Sequence, residues 1–225
     1  MENIKLHAQT NNCLVICDLD GTLVDSRGAL TDTVNSVRSY YNLSPLDKDT
    51  VTGYIGNGSK ALIERAMHGH NINIEEAYSL MRKSYAENTP KEKDIYPGVR
   101  SGLLKLVDAG IKLAVVTNKP QEPTEYLLDH LNLSSFFQMI VGGSDAYPLK
   151  PDPAPLMAVM KKTGVLPGNS WMIGDHHTDL EAGRRADVHT CLAAYGFGSP
   201  ENEPFELEVN SFSEFTDYLS QYFRI

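Results

Sequence analysis

Five short apolar runs, at residues 13–17, 111–116, 139–142, 170–174 and 188–193, alternate with stretches patterned as helices. The helical patterns fall near 99–109, 124–131, 154–163 and 179–186, and Gly110 and Gly164 stand where left-handed helix ends need no Cβ. Strand alternating with helix predicts an α/β fold, with a parallel sheet covered by helices on both faces. The interval 26–93 breaks that rhythm. It carries no strand pattern but has helical patterns near 31–41, 60–67 and 74–87, the last preceded by a capping-box pair, Asn73 and Glu76. The expected organisation is a core of residues 1–25 and 94–225 interrupted by an all-helical insertion, 26–93. Pro97-Gly98 marks re-entry into the core, and Ser211 with Glu214 announces a closing helix.

The first run delivers Asp18 and Asp20 at its carboxyl end. Strand side chains alternate with period two, so a backbone extended through Leu19 points both carboxylates the same way. Gly21 and Thr22 then break the strand and leave backbone N–H groups beside the acids. Two such carboxylates suit a hard divalent cation, and adjacent amides suit a phosphate. Taken alone, the spacing is common and better fits a strand ending in a solvated acidic turn. Three later segments add to it. Thr117-Asn118-Lys119 follows one apolar run, Lys150-Pro151-Asp152-Pro153 follows another at loop distance, and Gly174-Asp175 ends a third, with Asp179 four residues on. Ligands of open α/β sheets sit outside the carboxyl ends of the strands, so these segments could share one crevice. A hydroxyl, an ammonium and a second acidic pair around the first make a set suited to phosphoryl transfer.

Composition narrows the partners. A net charge of −9 without a Lys/Arg run argues against nucleic acid, which is held by neutralising phosphates. The chain is polar through Asn12 and its first apolar run has five residues, too few for a signal-peptide core or a membrane span; the expected setting is the cytoplasm, with no membrane partner. The three cysteines, Cys13, Cys17 and Cys191, lie in apolar runs and read as small buried hydrophobes. At 225 residues the chain can form one large domain, or one domain and a smaller one.

In their order, Asp18-Leu19-Asp20-Gly21-Thr22-Leu23-Val24, Val115-Val116-Thr117-Asn118-Lys119, Lys150-Pro151-Asp152-Pro153 and Gly174-Asp175-x-x-x-Asp179 resemble the motifs of the haloacid dehalogenase-like hydrolases, and within them the phosphoglycolate phosphatase group. Gly56-Asn57-Gly58, Tyr96-Pro97-Gly98-Val99 and Tyr195-Gly196-Phe197-Gly198 extend the resemblance, which covers roughly residues 12–198. It implies a Rossmann-like core, with the helical insertion as a cap that closes over the strand ends and excludes water. It also implies a magnesium-dependent phosphomonoesterase. Asp18 would be the nucleophile that forms an aspartyl-phosphate, and Asp20 the general acid and base. The Asp18 carboxylate, the Asp20 carbonyl and the Asp175 carboxylate would bind Mg2+. Asp20 separates this chain from the dehalogenases, which lack an acid there because halide leaves without a proton.

Thr117 and Asn118 would offer a hydroxyl and an amide to the phosphate, beside Gly21 and Thr22, and Lys150 would supply positive charge. Asp179 either reaches the metal through water, orients Lys150 or caps its helix. The implied substrate is a small phosphorylated metabolite, 2-phosphoglycolate, hydrolysed by a monomer or homodimer. Other small phosphate esters, pyrophosphate and a sugar-phosphate mutase reaction use the same catalytic set. A non-catalytic binding protein on the same fold would be expected to lose Asp18, Asp20, Lys150 or Asp175, and all four are present.

His176-His177 departs from the family pattern, which usually has a small hydroxyl residue directly after the acid. Adjacent imidazoles rarely face one metal, and no Cys or third His stands at ligand spacing, so these read as loop histidines rather than zinc ligands. Lys119 reads as solvent-facing, Arg184-Arg185 as an exposed or salt-bridged helix face, and Trp171 as core. In the insertion, Asn57 lies in a tight loop able to approach the site. Lys60 and Arg65 could meet a substrate carboxylate or be ordinary surface charges on a helix.

Overall fold

The computed structural model describes residues 12–144 and 146–223; most of the polar stretch ending at Asn12 lies outside them. Six strands form one sheet: β1 (Leu14–Cys17), β2 (Lys112–Pro120), β3 (Met139–Gly143), β4 (Ser170–Gly174), β5 (His189–Ala193) and β6 (Leu207–Val209). Their order is β3-β2-β1-β4-β5-β6, and every pairing is parallel. The expected α/β core is therefore the observed one. Its sixth strand was not expected, because three residues at a sheet edge carry no alternation to read. In β1, Cys17 pairs with Val115 of β2 and Ile173 of β4, so Asp18 and Asp175 emerge side by side where the strand order reverses.

Alternation along the strands splits the core in two. Val15 and Cys17 face a cluster closed by Leu103 and Leu106 of α5 (Val99–Asp108), Leu127 and Leu128 of α6 (Gln121–His130), and Phe212 and Phe215 of α9 (Phe212–Phe223). Leu14 and Ile16 face the opposite cluster, closed by Leu156 and Val159 of α7 (Ala154–Thr163) and Ala182 of α8 (His177–Arg185). A strand covered on both faces needs apolar residues at every position, which is why these runs are continuous rather than alternating. Cys13, Cys17 and Cys191 are buried in the first cluster, as is Trp171, whose ring stacks on His189 at 4.8 Å. No helix among the described residues is long and apolar enough to cross a membrane.

Four helices, α1 (Arg27–Tyr40), α2 (Lys48–Thr52), α3 (Ser59–Ala66) and α4 (Ile74–Glu87), pack around a third cluster that includes Leu30, Val34, Val51, Ile63 and Met81. The five-residue α2 escapes sequence periodicity because it is barely one turn long; Asp47 starts it by accepting from the Thr50 N–H at 2.8 Å. The Asn73 side chain accepts from Glu75 and Glu76 at the start of α4. The chain leaves the core and returns to it along one antiparallel crossing: Val24 bridges Ile95, and the Asp25 N–H donates to the Asp94 carbonyl at 2.7 Å.

The closing helix docks through Phe215, whose ring lies edge-on to Trp171 at 6.1 Å. Phe215→Ala should therefore lower the unfolding free energy by about 3–5 kcal/mol, the usual cost of emptying a buried phenylalanine site. Urea unfolding followed by fluorescence of Trp171, the chain's single tryptophan, checks this. A loss under about 1 kcal/mol would mean that α9 is not part of the cooperative core.

Candidate active site

Directly after β1 the chain tightens into a turn. The Leu19 carbonyl accepts from the N–H groups of Thr22, Leu23 and Val24, and the Gly21 N–H donates to the Val24 carbonyl at 2.9 Å. The amides of Gly21 and Thr22, expected to stand ready for a phosphate, are thus engaged in closing the turn. Gly21 is confined to glycine for two reasons. Its φ is +93°, and a Cβ would fall 1.9 Å from Asp175 Oδ2. The turn exists so that backbone can pass this close to the second acid.

Lys150 enters from the other side. Its ammonium lies 2.7 Å from Asp18 Oδ1, 2.6 Å from Asp179 Oδ1 and 2.6 Å from the Val116 carbonyl, with 1% of the side chain exposed. Burial pulls the Lys150 ammonium toward its neutral form, but Asp179 and Asp18 more than offset this and hold its pKa above the ordinary value. Asn118 fixes the backbone of this lysine: Asn118 Oδ1 accepts from the Lys150 N–H at 2.8 Å, and Nδ2 donates to the Lys150 carbonyl at 2.9 Å. The same amide reaches the Gly56 carbonyl in the insertion at 3.0 Å. The side-chain amide assigned to phosphate binding is therefore turned to structural partners. Thr117 does line the cavity, with its hydroxyl accepting from the Lys119 N–H at 3.3 Å.

Asp179 has two of the three roles expected as alternatives. One oxygen holds Lys150, and the other accepts from the His176 N–H at 3.1 Å, capping α8. Asp175 is fixed by backbone: Oδ2 accepts from the Phe197 N–H at 3.0 Å and the Gly198 N–H at 2.7 Å. The Tyr195–Gly198 segment, whose role was not legible from its residues, thus forms a collar around this acid.

One expectation is overturned. Lys119, read as solvent-facing, is buried, and its ammonium lies 3.2 and 3.1 Å from the two oxygens of Asp20. The reason is that β2 runs on through Pro120, past a register shift that follows Val116, so Lys119 still belongs to the strand. Its partner is 99 residues away in sequence, and no local signal reports such a pair. In the insertion, the exposed Lys60 and Arg65 fit the surface-charge alternative. Lys60 pairs with Glu75 at 2.6 Å in solvent, while Arg65 donates to the Tyr54 carbonyl and Asn57 Oδ1. None of Asn57, Lys60 and Arg65 lines the cavity; Gly56, Gly58 and Ser59 do.

His176 presses on the insertion, since a Cβ on Gly56 would lie 2.7 Å from its Nε2. Its Nδ1 contacts Thr178 at 3.1 Å, while His177 Nε2 lies 3.6 Å from Glu201. Arg184 pairs with Glu203, and Arg185 with Glu181, in line with a salt-bridged helix face.

Carboxylate oxygens of Asp18, Asp175 and Asp179 lie within 4.8 Å of one another, all buried. Burial, then the neighbouring acids, push Asp175 well above the usual carboxylate range, despite its two backbone bonds. Burial likewise raises Asp18 from 3.8 to about 7, against the pull of Lys150. One ammonium against three acids leaves negative charge uncompensated, and hard oxygen donors this close fit a divalent cation. Above them lies a cavity of about 230 Å³, walled by Asp18, Asp20, Thr117, Lys119, Lys150 and His176, and roofed by the insertion.

Residues 15–193 match the family model for haloacid dehalogenase-like hydrolases. The chain belongs to that family. Within it, the chain is 35% identical over 219 residues to a phosphoglycolate phosphatase of Psychrobacter arcticus, covering 92% of this chain and 95% of that one. It is 37% identical to a phosphoglycolate phosphatase of Aquifex aeolicus, over 82% of this chain and 85% of the relative. Among solved structures, a predicted phosphoglycolate phosphatase from Haemophilus somnus superposes with a TM-score of 0.81 at 26% identity, covering 93% of this chain and 99% of that chain. This haloacid dehalogenase-like hydrolase falls in the phosphoglycolate phosphatase-like group.

The acid cluster gives a signed pH dependence. Without a cation, the stability contributed by the Asp18 proton is fully present below its ordinary pKa of 3.8 and is lost as pH rises through about 7. A cation that takes the proton's place should raise the unfolding temperature more at about pH 8 than at about pH 5.5. Calorimetry with and without millimolar manganese at both pH values measures this. Equal increments would mean that the ion sits elsewhere.

Proposed function

We propose that this hydrolase is a magnesium-dependent phosphomonoesterase that acts through an aspartyl-phosphate on Asp18, with 2-phosphoglycolate as its substrate and the cytoplasm as its setting. The observation that carries the reading is the separate pairing of the two acids of one turn. Asp18 faces Lys150 at 2.7 Å, and Asp20 faces Lys119 at 3.1 Å. Two carboxylates with separate cations can hold opposite roles, one as nucleophile and one as proton carrier.

In this mechanism an Asp18 oxygen attacks phosphorus in line while the ester P–O bond breaks. Asp20, entering the step as the acid, gives its proton to the departing oxygen. Left as a carboxylate, Asp20 then takes a proton from water as that water attacks the acyl-phosphate, releasing phosphate and restoring Asp18. Lys150 neutralises charge on the transferring group, and Thr117 lies on the cavity wall where its hydroxyl can meet a phosphate oxygen. Asp18 and Asp175, with the Asp20 carbonyl, would hold magnesium, which when bound offsets the repulsion between nucleophile and phosphate. Asp179 keeps Lys150 aimed. The roof over the cavity shields the acyl-phosphate from stray water.

The names of the relatives support 2-phosphoglycolate, and a cavity of about 230 Å³ suits a two-carbon ester. In a panel of small phosphate esters, 2-phosphoglycolate should show the highest kcat/KM, by about tenfold or more, equivalent to one charge-assisted contact. A different best substrate replaces the substrate assignment and leaves the reaction class standing.

Asp18→Asn should bind phosphate esters yet lose turnover by at least about 10³-fold, because an amide cannot form the acyl-phosphate. Single-turnover assays with labelled ester test this: radiolabel should be trapped on the wild-type protein and absent from the variant. Turnover by the variant within about tenfold of wild type would exclude the covalent route.

A further inference from the structure

Lys119 stands at the end of β2 with its side chain 4% exposed, bonded to both oxygens of Asp20. The same ammonium lies over the Tyr85 ring, 4.3 Å from its centroid. Tyr85 is buried and belongs to α4, in the helical insertion. One turn earlier on the same helix, Arg82 pairs with Glu122 in the first turn of α6 at 2.5 Å. Helix α4 thus grips the end of β2 and the start of α6 at two adjacent points.

Lysine has a long stem with many rotamers, and only contacts on several sides hold its ammonium in one place. Asp20 supplies negative charge and the aromatic face of Tyr85 supplies a cation–π contact. Among the described residues the Lys119 ammonium bonds to Asp20 alone of the acids, whereas Asp18 and Asp179 bond to Lys150. Resting on the function proposed above, we propose that Lys119 is a positioning residue. It holds the Asp20 carboxyl where it hands its proton to the leaving oxygen, and Tyr85 keeps Lys119 there while α4 lies against the core. Lys150 serves the attacking side of the reaction, and Lys119 the departing side. When α4 moves away, Lys119 loses the ring and gains water, and Asp20 loses its fixed orientation. Proton delivery is thereby tied to closure of the insertion over the substrate.

The test compares leaving groups. Wild type, K119M, Y85L, Y85F and D20N are assayed with magnesium on 2-phosphoglycolate, whose alkoxide needs a proton to leave, and on 2,4-dinitrophenyl phosphate, whose phenolate does not. The constant kcat/KM covers steps only up to departure of the leaving group, and the ratio of the two constants within one variant cancels the fraction of enzyme folded. K119M should lose about 10²-fold on the alkyl ester, the lower range for general acid catalysis, and at least about tenfold less than that on the aryl ester. Y85L should show the same imbalance at smaller size, and Y85F, which keeps the ring, should restore the wild-type ratio. Equal losses on both esters in K119M, or a wild-type ratio, overturn the role of Lys119. A balanced Y85L overturns the link to α4. If D20N itself shows no imbalance, the acid role of Asp20 fails, which is a failure of the proposed function and removes this inference with it.

Discussion

The Lys150 ammonium donates to Asp18 Oδ1, Asp179 Oδ1 and the Val116 carbonyl, and these three bonds fix the end of β1, the first turn of α8 and β2 against one another. Removing one partner of a buried ion pair typically costs about 3–5 kcal/mol, because the remaining charge has no water to turn to. Here one cation serves two acids, so its placement is strongly constrained. Asn118 meets that constraint from behind, binding both the N–H and the carbonyl of Lys150. The loop that carries the lysine is consequently tied to β2 by backbone as well as by side chain.

Much of this was legible in the sequence. Apolar runs of four to six residues with helical patterns between them lead directly to a parallel sheet, because both faces of each strand are buried. The acids and the lysine were legible too, since each follows such a run and strand ends converge in this architecture. What stayed hidden is of two kinds. Elements such as α2 and β6 are too short to show a period. Partnerships such as Lys119 with Asp20, or Asp175 with the Phe197 and Gly198 amides, join residues far apart in the chain. Local pattern cannot report them, and charge on a residue then reads by default as exposure.

The backbone near Asp175 follows a related logic. A Cβ on Gly196 would lie 2.4 Å from Asp175 Cβ, and one on Gly198 would lie 2.7 Å from its carbonyl oxygen. Glycines pack close around the acid, so backbone amides of Phe197 and Gly198 can reach its carboxylate. Amides cannot lose their protons or swing away, and they hold the carboxyl in place without supplying the full charge that would satisfy it. The residual charge is what a cation can use.

The crossing at Val24 and Ile95 has a further consequence. The Asp25 N–H and the Asp94 carbonyl are hydrogen-bonded at 2.7 Å, so the two ends of the helical insertion meet at a single point. Joining these ends directly would close a loop of only a few residues, with little entropic cost to the sheet. None of the six strands lies between them. An insertion anchored this way can be lengthened, shortened or exchanged without changing strand registers, so the roof of the cavity can diversify while its floor of buried acids stays fixed.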